Sequence, residues 1–353
     1  MRVRIVSYED INAWILGKFA RRLRDELHLL GVEVDINSVP DKSADINHHI
    51  IYLGYNEQDA SPVDTLMITH IDDIRKLSKL KGQIGQAKAG ICMSRSVMDL
   101  LVAEGLPAEK MSFINPAHDG VINPRKIVIG ITSKVQPDGC KREYMVRELF
   151  NHISPKVFSL SIMGFGWDKI VNEIRKKGFS VEYHNEFDYD MYGKLVPSFD
   201  YYLYTGQDEG SMGFIDALAA GVQTIVTPQG YHLDAPDGIV HAFNSQEELL
   251  SIFKQIEAEK LRLIDSVSTW TWKDYAIKHL EIWNHILGIK INDSIYSDGL
   301  NSLLNQKNEI DLDSWRKYKR GLRVGAVKRT YAKAKKAKDL NFVFNKLKGI
   351  FSK

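Results

Sequence analysis

Short β-rich runs alternate with stretches of helical spacing, in two series along the chain, and this pattern limits the possible folds more than any other feature. In the first series, residues 3–7, 32–36, 49–53, 65–69, 90–94 and 111–115 read as strands. Ile15, Phe19, Leu23 and Leu27 recur at helical spacing over residues 14–30, and Gly31 supplies the stop. A second helix is expected over 98–104, closed by Gly105 and Pro107. The linker-like stretch 116–124 then leads into the second series. Its expected strands are 127–131, 157–163, 180–183, 201–204, 224–227 and 240–242, and its expected helices 143–151, 167–177, 213–220, 246–257 and 273–286. Strands separated by helices of this length predict an α/β fold built on two parallel sheets. At 353 residues the chain exceeds one ordinary core. The expected domains are 1–122, 123–290 and a basic helical tail over 291–353.

Several function classes drop out early. No apolar run approaches the roughly 18 residues that span a bilayer. The opening residues read as a strand and not as a signal peptide. Two cysteines, Cys92 and Cys140, offer neither a disulfide framework nor a metal cluster. A cytoplasmic protein is the expectation. The net charge of +2 conceals an asymmetry. Residues 316–353 carry 14 Lys/Arg against Asp339 alone, leaving 33 basic and 44 acidic residues elsewhere.

Ligands of parallel sheets bind beyond the carboxyl ends of the strands, so the loops that follow strands carry the functional reading. The loop after 201–204 holds Asp208, Glu209, Gly210, Ser211, Met212 and Gly213, and Asp216 follows eight residues after Asp208. The glycines let backbone approach a ligand closely. The helix opening there offers free N–H groups and the positive end of its dipole to a phosphate. Two carboxylates at that place suit neutral hydroxyls, or else serve only to offset the helix dipole. Cations for phosphates stand in the loop after 127–131, where Thr132, Ser133, Lys134, Lys141 and Arg142 surround a Pro-Asp-Gly turn. The alternative there is a solvated loop with ordinary surface lysines. Gly164 belongs to a third glycine loop, Met163-Gly-Phe-Gly166, which is weak as a fingerprint by itself.

In this order, these pieces resemble the retaining GT-B glycosyltransferases of family four, over about residues 1–288. Asp208 and Asp216 stand at the two acidic places of that family's E-x7-E signature, with Glu209 adjacent to the first. Lys134 and Lys141 occupy the places of its basic pair, and Arg142 stands where a glycine is usual. His70 and Asp72, at the end of a strand, are similar to its His-Asp strand end, and Trp270 and Trp272 to its closing tryptophan helix. The resemblance implies two Rossmann-like domains facing across a cleft. It implies sugar transfer with retention from a nucleotide-sugar to a glycan or lipid-linked acceptor, with no cofactor and no metal. In that scheme Asp208, Lys134, Lys141 and His70 are catalytic. Asp208 bonds the sugar, the lysines stabilise the leaving diphosphate, and His70 approaches from the first domain. Asp216 bonds the ribose, while Glu209 to Gly213, Thr132, Ser133, Arg142 and Gly164 bind the donor.

Asp188-Tyr-Asp190 can be read as a metal-binding pair, but its expected place in a base-contacting loop makes packing the better reading. In the tail, Trp315, Tyr318, Leu322 and Ala326 form one apolar stripe. Leu340, Val343, Phe344, Leu347, Ile350 and Phe351 form a second. Such basic amphipathic helices predict an anionic membrane surface as partner, with packing against the protein as the alternative. No nucleic-acid motif accompanies the charge. The leading expectation is therefore a peripheral membrane enzyme of surface polysaccharide or glycolipid synthesis. The alternatives are an epimerase or hydrolase of sugar nucleotides on the same scaffold, and a non-catalytic binding protein.

Overall fold

The computed structural model of the protein describes residues 1–56, 58, 60–289 and 312–337, the last with side chains from 313 to 333. Two units divide it. One comprises Met1–Gly120 together with the described residues from Thr269 on, and the other Val121–Ser268.

The first unit carries strands β1 (Arg2–Val6), β2 (Glu33–Asn37), β3 (Ile46–His49), β4 (Asp64–Ile68), β5 (Ala89–Cys92) and β6 (Met111–Phe113). They form one parallel sheet in the order β2-β1-β3-β4-β5-β6. Its helices are α1 (Ile15–Leu29), α2 (Ile74–Gln86) and α3 (Arg95–Ala103). The second unit carries β7 (Ile127–Ile131), β8 (Phe158–Met163), β9 (Val181–His184), β10 (Tyr201–Tyr204), β11 (Gln223–Val226) and β12 (His241–Ala242). Their parallel order is β12-β11-β10-β7-β8-β9, the doubly wound Rossmann arrangement. Between these strands run α4 (Glu143–His152), α5 (Asp168–Lys176), α6 (Tyr189–Leu195) and α7 (Met212–Ala219), and α8 (Gln246–Asp265) follows β12. Strand order reverses between β7 and β10, so the loops after those two strands flank a natural ligand crevice.

The chain crosses back at Thr269, well before the boundary at 290 that the helix pattern suggested. The reason is packing. Helix α9 (Trp272–Ile286) buries Trp272, Tyr275, Ile282 and Trp283 in one cluster with Val3, Ile5, Phe19 and Leu23. Residues 272–286 thus complete the first unit's core, although they follow the second unit in sequence.

The strand expected over 49–53 lies earlier, at Ile46–His49, because polar side chains fill a central strand. Asn47 bonds to the backbone at Asp41, the His48 ring to Thr65, and the His49 ring to Asp64. All three are fully buried. Helices α2 and α6 are further elements that the sequence pattern did not single out.

Helix α10 (Leu312–Ala337) belongs to the first unit. Leu322 and Ala326 are buried, and Leu322 joins a cluster with Leu77, Leu80, Met98 and Leu101, with Tyr318 packed against it. A Cβ on Gly325 would lie 1.9 Å from the carbonyl oxygen of Asp72, so glycine permits that close approach. The first apolar stripe of the tail is therefore turned onto protein and not left for lipid. Apolar burial of this kind, at roughly 25 cal/mol per Å², favours the packed helix. The second stripe, over residues 340–351, lies outside the described residues.

The buried histidines make the first unit sensitive to acid. The His48 and His279 rings meet at 4.9 Å, and the Nε2 atom of each is buried without a hydrogen bond. Burial pushes the pKa of His279 down to about 4 and that of His48 well below its ordinary value. Above pH 6.5 both rings are neutral whether the chain is folded or not, and that stability is fully present. As pH falls below 6.5, the unfolded chain takes up protons that the folded rings refuse. Stability then drops by up to about 1.4 kcal/mol per histidine per pH unit. We expect urea midpoints to fall between pH 7.5 and 5.5, with a smaller fall in His279→Leu. An equal fall in the variant would contradict this account.

Candidate functional site

The crevice flanking β7 and β10 is built by two loops that lock onto each other. The first, residues 132–142, leaves β7, and its backbone is held from below by the 163–167 turn. The Trp167 indole N–H donates to the Ser133 carbonyl at 2.6 Å, and the Val135 N–H donates to the Phe165 carbonyl at 2.9 Å. Gly164, at φ +154°, lets the turn approach, since a Cβ there would stand 2.1 Å from the Ser133 oxygen. Gly164 thus shapes the loop from beneath.

The second loop leaves β10. Tyr202 and Tyr204 are two residues apart and therefore share one face of the strand, and both hydroxyls serve this loop. The Tyr202 hydroxyl bonds Ser211 Oγ at 2.6 Å and accepts from Thr132 Oγ1 at 3.2 Å. The Tyr204 hydroxyl donates to the Asp208 carboxylate at 2.7 Å. Lys141, from the first loop, donates to the same carboxylate at 2.5 Å and to the Tyr204 hydroxyl at 2.6 Å. The Gly210 N–H completes the set at 3.0 Å. Partial burial pushes the Asp208 carboxyl up. The bonds from Lys141, Tyr204 and Gly210 outweigh this and leave it below its ordinary pKa. Burial first, and then the adjacent carboxylate, raise the Tyr204 phenol. Tyr204 stays protonated and Asp208 ionised.

His232 and Gln229 close the loop from the β11 side. The His232 ring, fully buried, takes the Ser211 N–H on Nε2 at 3.0 Å and bonds the Thr227 carbonyl through Nδ1 at 3.0 Å. A carbonyl only accepts and an amide N–H only donates, so Nδ1 is the donor and Nε2 the acceptor. Gln229 accepts from the Asp208 N–H at 3.2 Å and donates to the Gly206 carbonyl at 2.7 Å.

Ser211 precedes α7 as its N-cap, yet its side chain makes no capping bond and is spent on Tyr202. The first N–H groups of a helix have no intrahelical acceptor. Met212 and Gly213, the first two residues of α7, line a cavity of about 790 Å³. Thr132, Ser133, Lys134 and Lys141 line it from the first loop. Gly210, Ser211, Met212, Gly213 and Asp216 line it from the second. Lys134 is exposed there, without an acidic partner among the described residues. Phe187 and Tyr189, 66% and 80% exposed, also line this cavity.

The remaining expected residues are placed differently. Asp216 lies in the second turn of α7, and one of its oxygens accepts from the Tyr192 hydroxyl at 2.6 Å. Glu209 is exposed and off the cavity wall, its carbonyl accepting from the Tyr231 N–H at 3.1 Å. Arg142 also stands off the wall. Its guanidinium donates to the Thr205 carbonyl at 2.6 Å and to Thr227 Oγ1, tying together the ends of β10 and β11. Those bonds hold Arg142 in the left-handed region at φ 48°, a conformation that needs such support. Asp188 caps α6 by accepting from the Met191 N–H at 2.7 Å, and Asp190 sits in that helix's first turn.

His70 belongs to the first unit, after β4. Order reverses there between β1 and β3, so His70 is one strand removed from that reversal. Its ring is 67% exposed, 3.5 Å from the Lys76 ammonium and 3.7 Å from Asp72. Burial first, and then Lys76 and Arg329, press its pKa down.

Sequence reasoning missed Tyr204, His232 and Gln229. Only the first had a local signal, the period-two pairing of Tyr202 and Tyr204 before an acidic loop.

No protein-family model matches the sequence, and no curated protein matches it. Solved structures similar to this chain include Anabaena HepE in complex with UDP-glucose. The identity is 12%, with 82% of this chain and 97% of that chain covered, at a TM-score of 0.32. A glycosyltransferase of Rickettsia africae is 13% identical, covering 82% and 99%, at a TM-score of 0.33. The lipopolysaccharide outer core galactosyltransferase WaaB is 12% identical, with the same coverage, at 0.32. The doubly wound fold of this chain rests on its own strand order.

Gly213 is the tightest point of the two-loop lock. A Cβ there would stand 2.0 Å from Thr132 Oγ1 and 2.5 Å from the Tyr202 hydroxyl. Helix propensity alone makes Gly→Ala stabilising by about 0.8–1 kcal/mol, whereas overpacking costs about 1–3 kcal/mol. We expect Gly213→Ala to lower the urea midpoint. A raised midpoint would show that the loops do not meet there.

Proposed function

We propose that the chain is a glycosyltransferase that takes its sugar from a nucleotide-sugar bound in the second unit. One observation carries the reading. Two lysines, an uncapped helix N-terminus, a carboxylate and exposed aromatic rings converge on one cavity at the strand-order reversal of a parallel sheet. Phosphates match the cations and N–H groups. Sugar or ribose hydroxyls match Asp216. A base matches the rings of Phe187 and Tyr189.

In the reaction proposed, the bond from the anomeric carbon to the diphosphate oxygen breaks and its electron pair stays on the diphosphate. Lys134, Lys141 and the α7 amides stabilise that charge where it develops. The acceptor hydroxyl bonds the anomeric carbon on the face just vacated, so configuration is retained. Its proton passes to a diphosphate oxygen. No metal is required by this scheme.

Asp208, with both oxygens engaged, is a positioning residue that holds Lys141 in place and does not itself grip the sugar. Arg142, Glu209 and Gly164 shape the loops in the same indirect way. No step is assigned to His70. The acceptor proposed is a glycan or lipid-linked saccharide, as in surface polysaccharide or glycolipid synthesis. The basic sequence 316–353 supports an anionic membrane surface as partner, at the inner face of a cell membrane. Sedimentation with anionic vesicles reads that contact, and no sedimentation at low salt would remove it.

Loss of one donor to developing charge costs about 10²–10³ in kcat. Lys141→Gln should lose about that much sugar transfer, and its unfolding midpoint should fall as well, because Asp208 and Tyr204 lose their shared partner. The product's anomeric proton coupling should match the donor's, and chelator should leave the rate unchanged. Full turnover in Lys141→Gln, or an inverted product, would contradict the scheme.

A further inference from the structure

A second concave site lies in the first unit, between α2 and the tail helix α10. Arg75, Lys76 and Lys79 share one face of α2, and Arg329 and Lys333 stand one turn apart on α10. These five cations line a groove of about 480 Å³ whose apolar part is Leu53 and Ala332.

The local carboxylates are already in use. Asp73 caps α2 through the Arg75 N–H at 2.8 Å and pairs with the Arg75 guanidinium. Asp72 takes the Lys76 ammonium at 2.7 Å and also the Arg329 guanidinium. Lys79 gives one of its three N–H groups to the Leu53 carbonyl at 2.7 Å. Lys333 has no acidic partner among the described residues. Five cations against two carboxylates leave a surplus of three positive charges around one groove.

A merely solvated basic face would splay these side chains into water, where long stems carry their charges outward. Here Lys76 is held in, its side chain only 16% exposed. Burial lowers its pKa, and the neighbouring cations press on the His70 ring in the same sense. Packing fixes the groove as well, because Leu322, Ala326 and Gly325 seat α10 against the first unit. A ligand with several anionic oxygens on a small centre matches the charge surplus. A carboxylate, with two oxygens and one charge, leaves most of the donors unused.

We propose that this groove binds a terminal phosphate or diphosphate group, with Lys79 and Lys333 as its free donors and Arg329 and Lys76 as the cations behind them. The site is independent of the donor cavity and of the transferase reading.

Lysine acetylation followed by mass spectrometry of the full chain reads the site directly and separates it from Lys134 and Lys141. Inorganic pyrophosphate should slow labelling of Lys79 and Lys333 about fivefold or more, while the exposed Lys156 in the second unit keeps its rate. The double variant Lys79→Gln/Lys333→Gln should bind pyrophosphate at this site about tenfold more weakly, read as the concentration that protects Lys76. Lys333→Gln alone changes an exposed side chain and serves as the folded control, with a smaller loss of the same sign. Vesicles of phosphatidic acid form the second arm. Shielding by pyrophosphate assigns a soluble phosphate ligand, and shielding by phosphatidic acid alone assigns a lipid headgroup. No shielding by either probe overturns the proposal. So does equal shielding by phosphatidylglycerol vesicles of matched charge without any effect of pyrophosphate, because diffuse attraction then explains it.

Discussion

The carboxyl edge of the second sheet is organised around the contact of Lys141 with Asp208 and Tyr204, which joins residues 67 positions apart. Each loop alone is a solvated turn with glycines. Joined, they hold a lysine ammonium at a defined point beside the start of α7. The ammonium is partly withdrawn from water, with its side chain 16% exposed, so its field at the cavity is less screened than that of a surface lysine. Gly213 and Gly164 remove the side chains that would keep the loops apart. The buried His232 and Gln229 then fix the backbone from the β11 side.

This arrangement gives the two acids, Asp208 and Asp216, unequal surroundings. Asp208 is saturated by donors from its own unit, and replacing it leaves Lys141 and Tyr204 without their acceptor. Asp216 accepts from Tyr192 through one oxygen and is among the residues that line the cavity. Loss of Asp208 should therefore act through geometry and charge balance, and loss of Asp216 through ligand contact. The distinction follows from hydrogen-bond partners, which chain position alone does not supply.

How much was legible in sequence varied with how local the cause was. Strands β7, β10 and β11 are apolar runs closed by polar loops, and hydrophobic pattern is enough to find them. Strand β3 hid because Asn47, His48 and His49 look like surface residues until Thr65, Asp64 and the Asp41 backbone are beside them. Helix α9 is amphipathic, but its sequence does not say which unit's core it completes. The tail had the same ambiguity. Its stripe of Tyr318, Leu322 and Ala326 fits a lipid surface or a protein groove equally, and the nearby Leu77, Leu80 and Leu101 decide it. At the site, residue types in the loops pointed to phosphate and hydroxyl chemistry. Some of the partners come from far along the chain, 24 positions for Tyr192 and Asp216 and 67 for Lys141 and Asp208, beyond any local signal.

The central claim is that the cavity of the second unit holds a nucleotide-sugar, and thermal unfolding with UDP-, GDP-, ADP- and CMP-sugars tests it most directly. A ligand at 100 times its dissociation constant stabilises the folded state by about 2.7 kcal/mol. The account predicts that sugars of at least one nucleotide raise the unfolding temperature of the parent protein, and that Lys134→Gln weakens the effect. Unchanged unfolding with all four classes at millimolar concentration would contradict it.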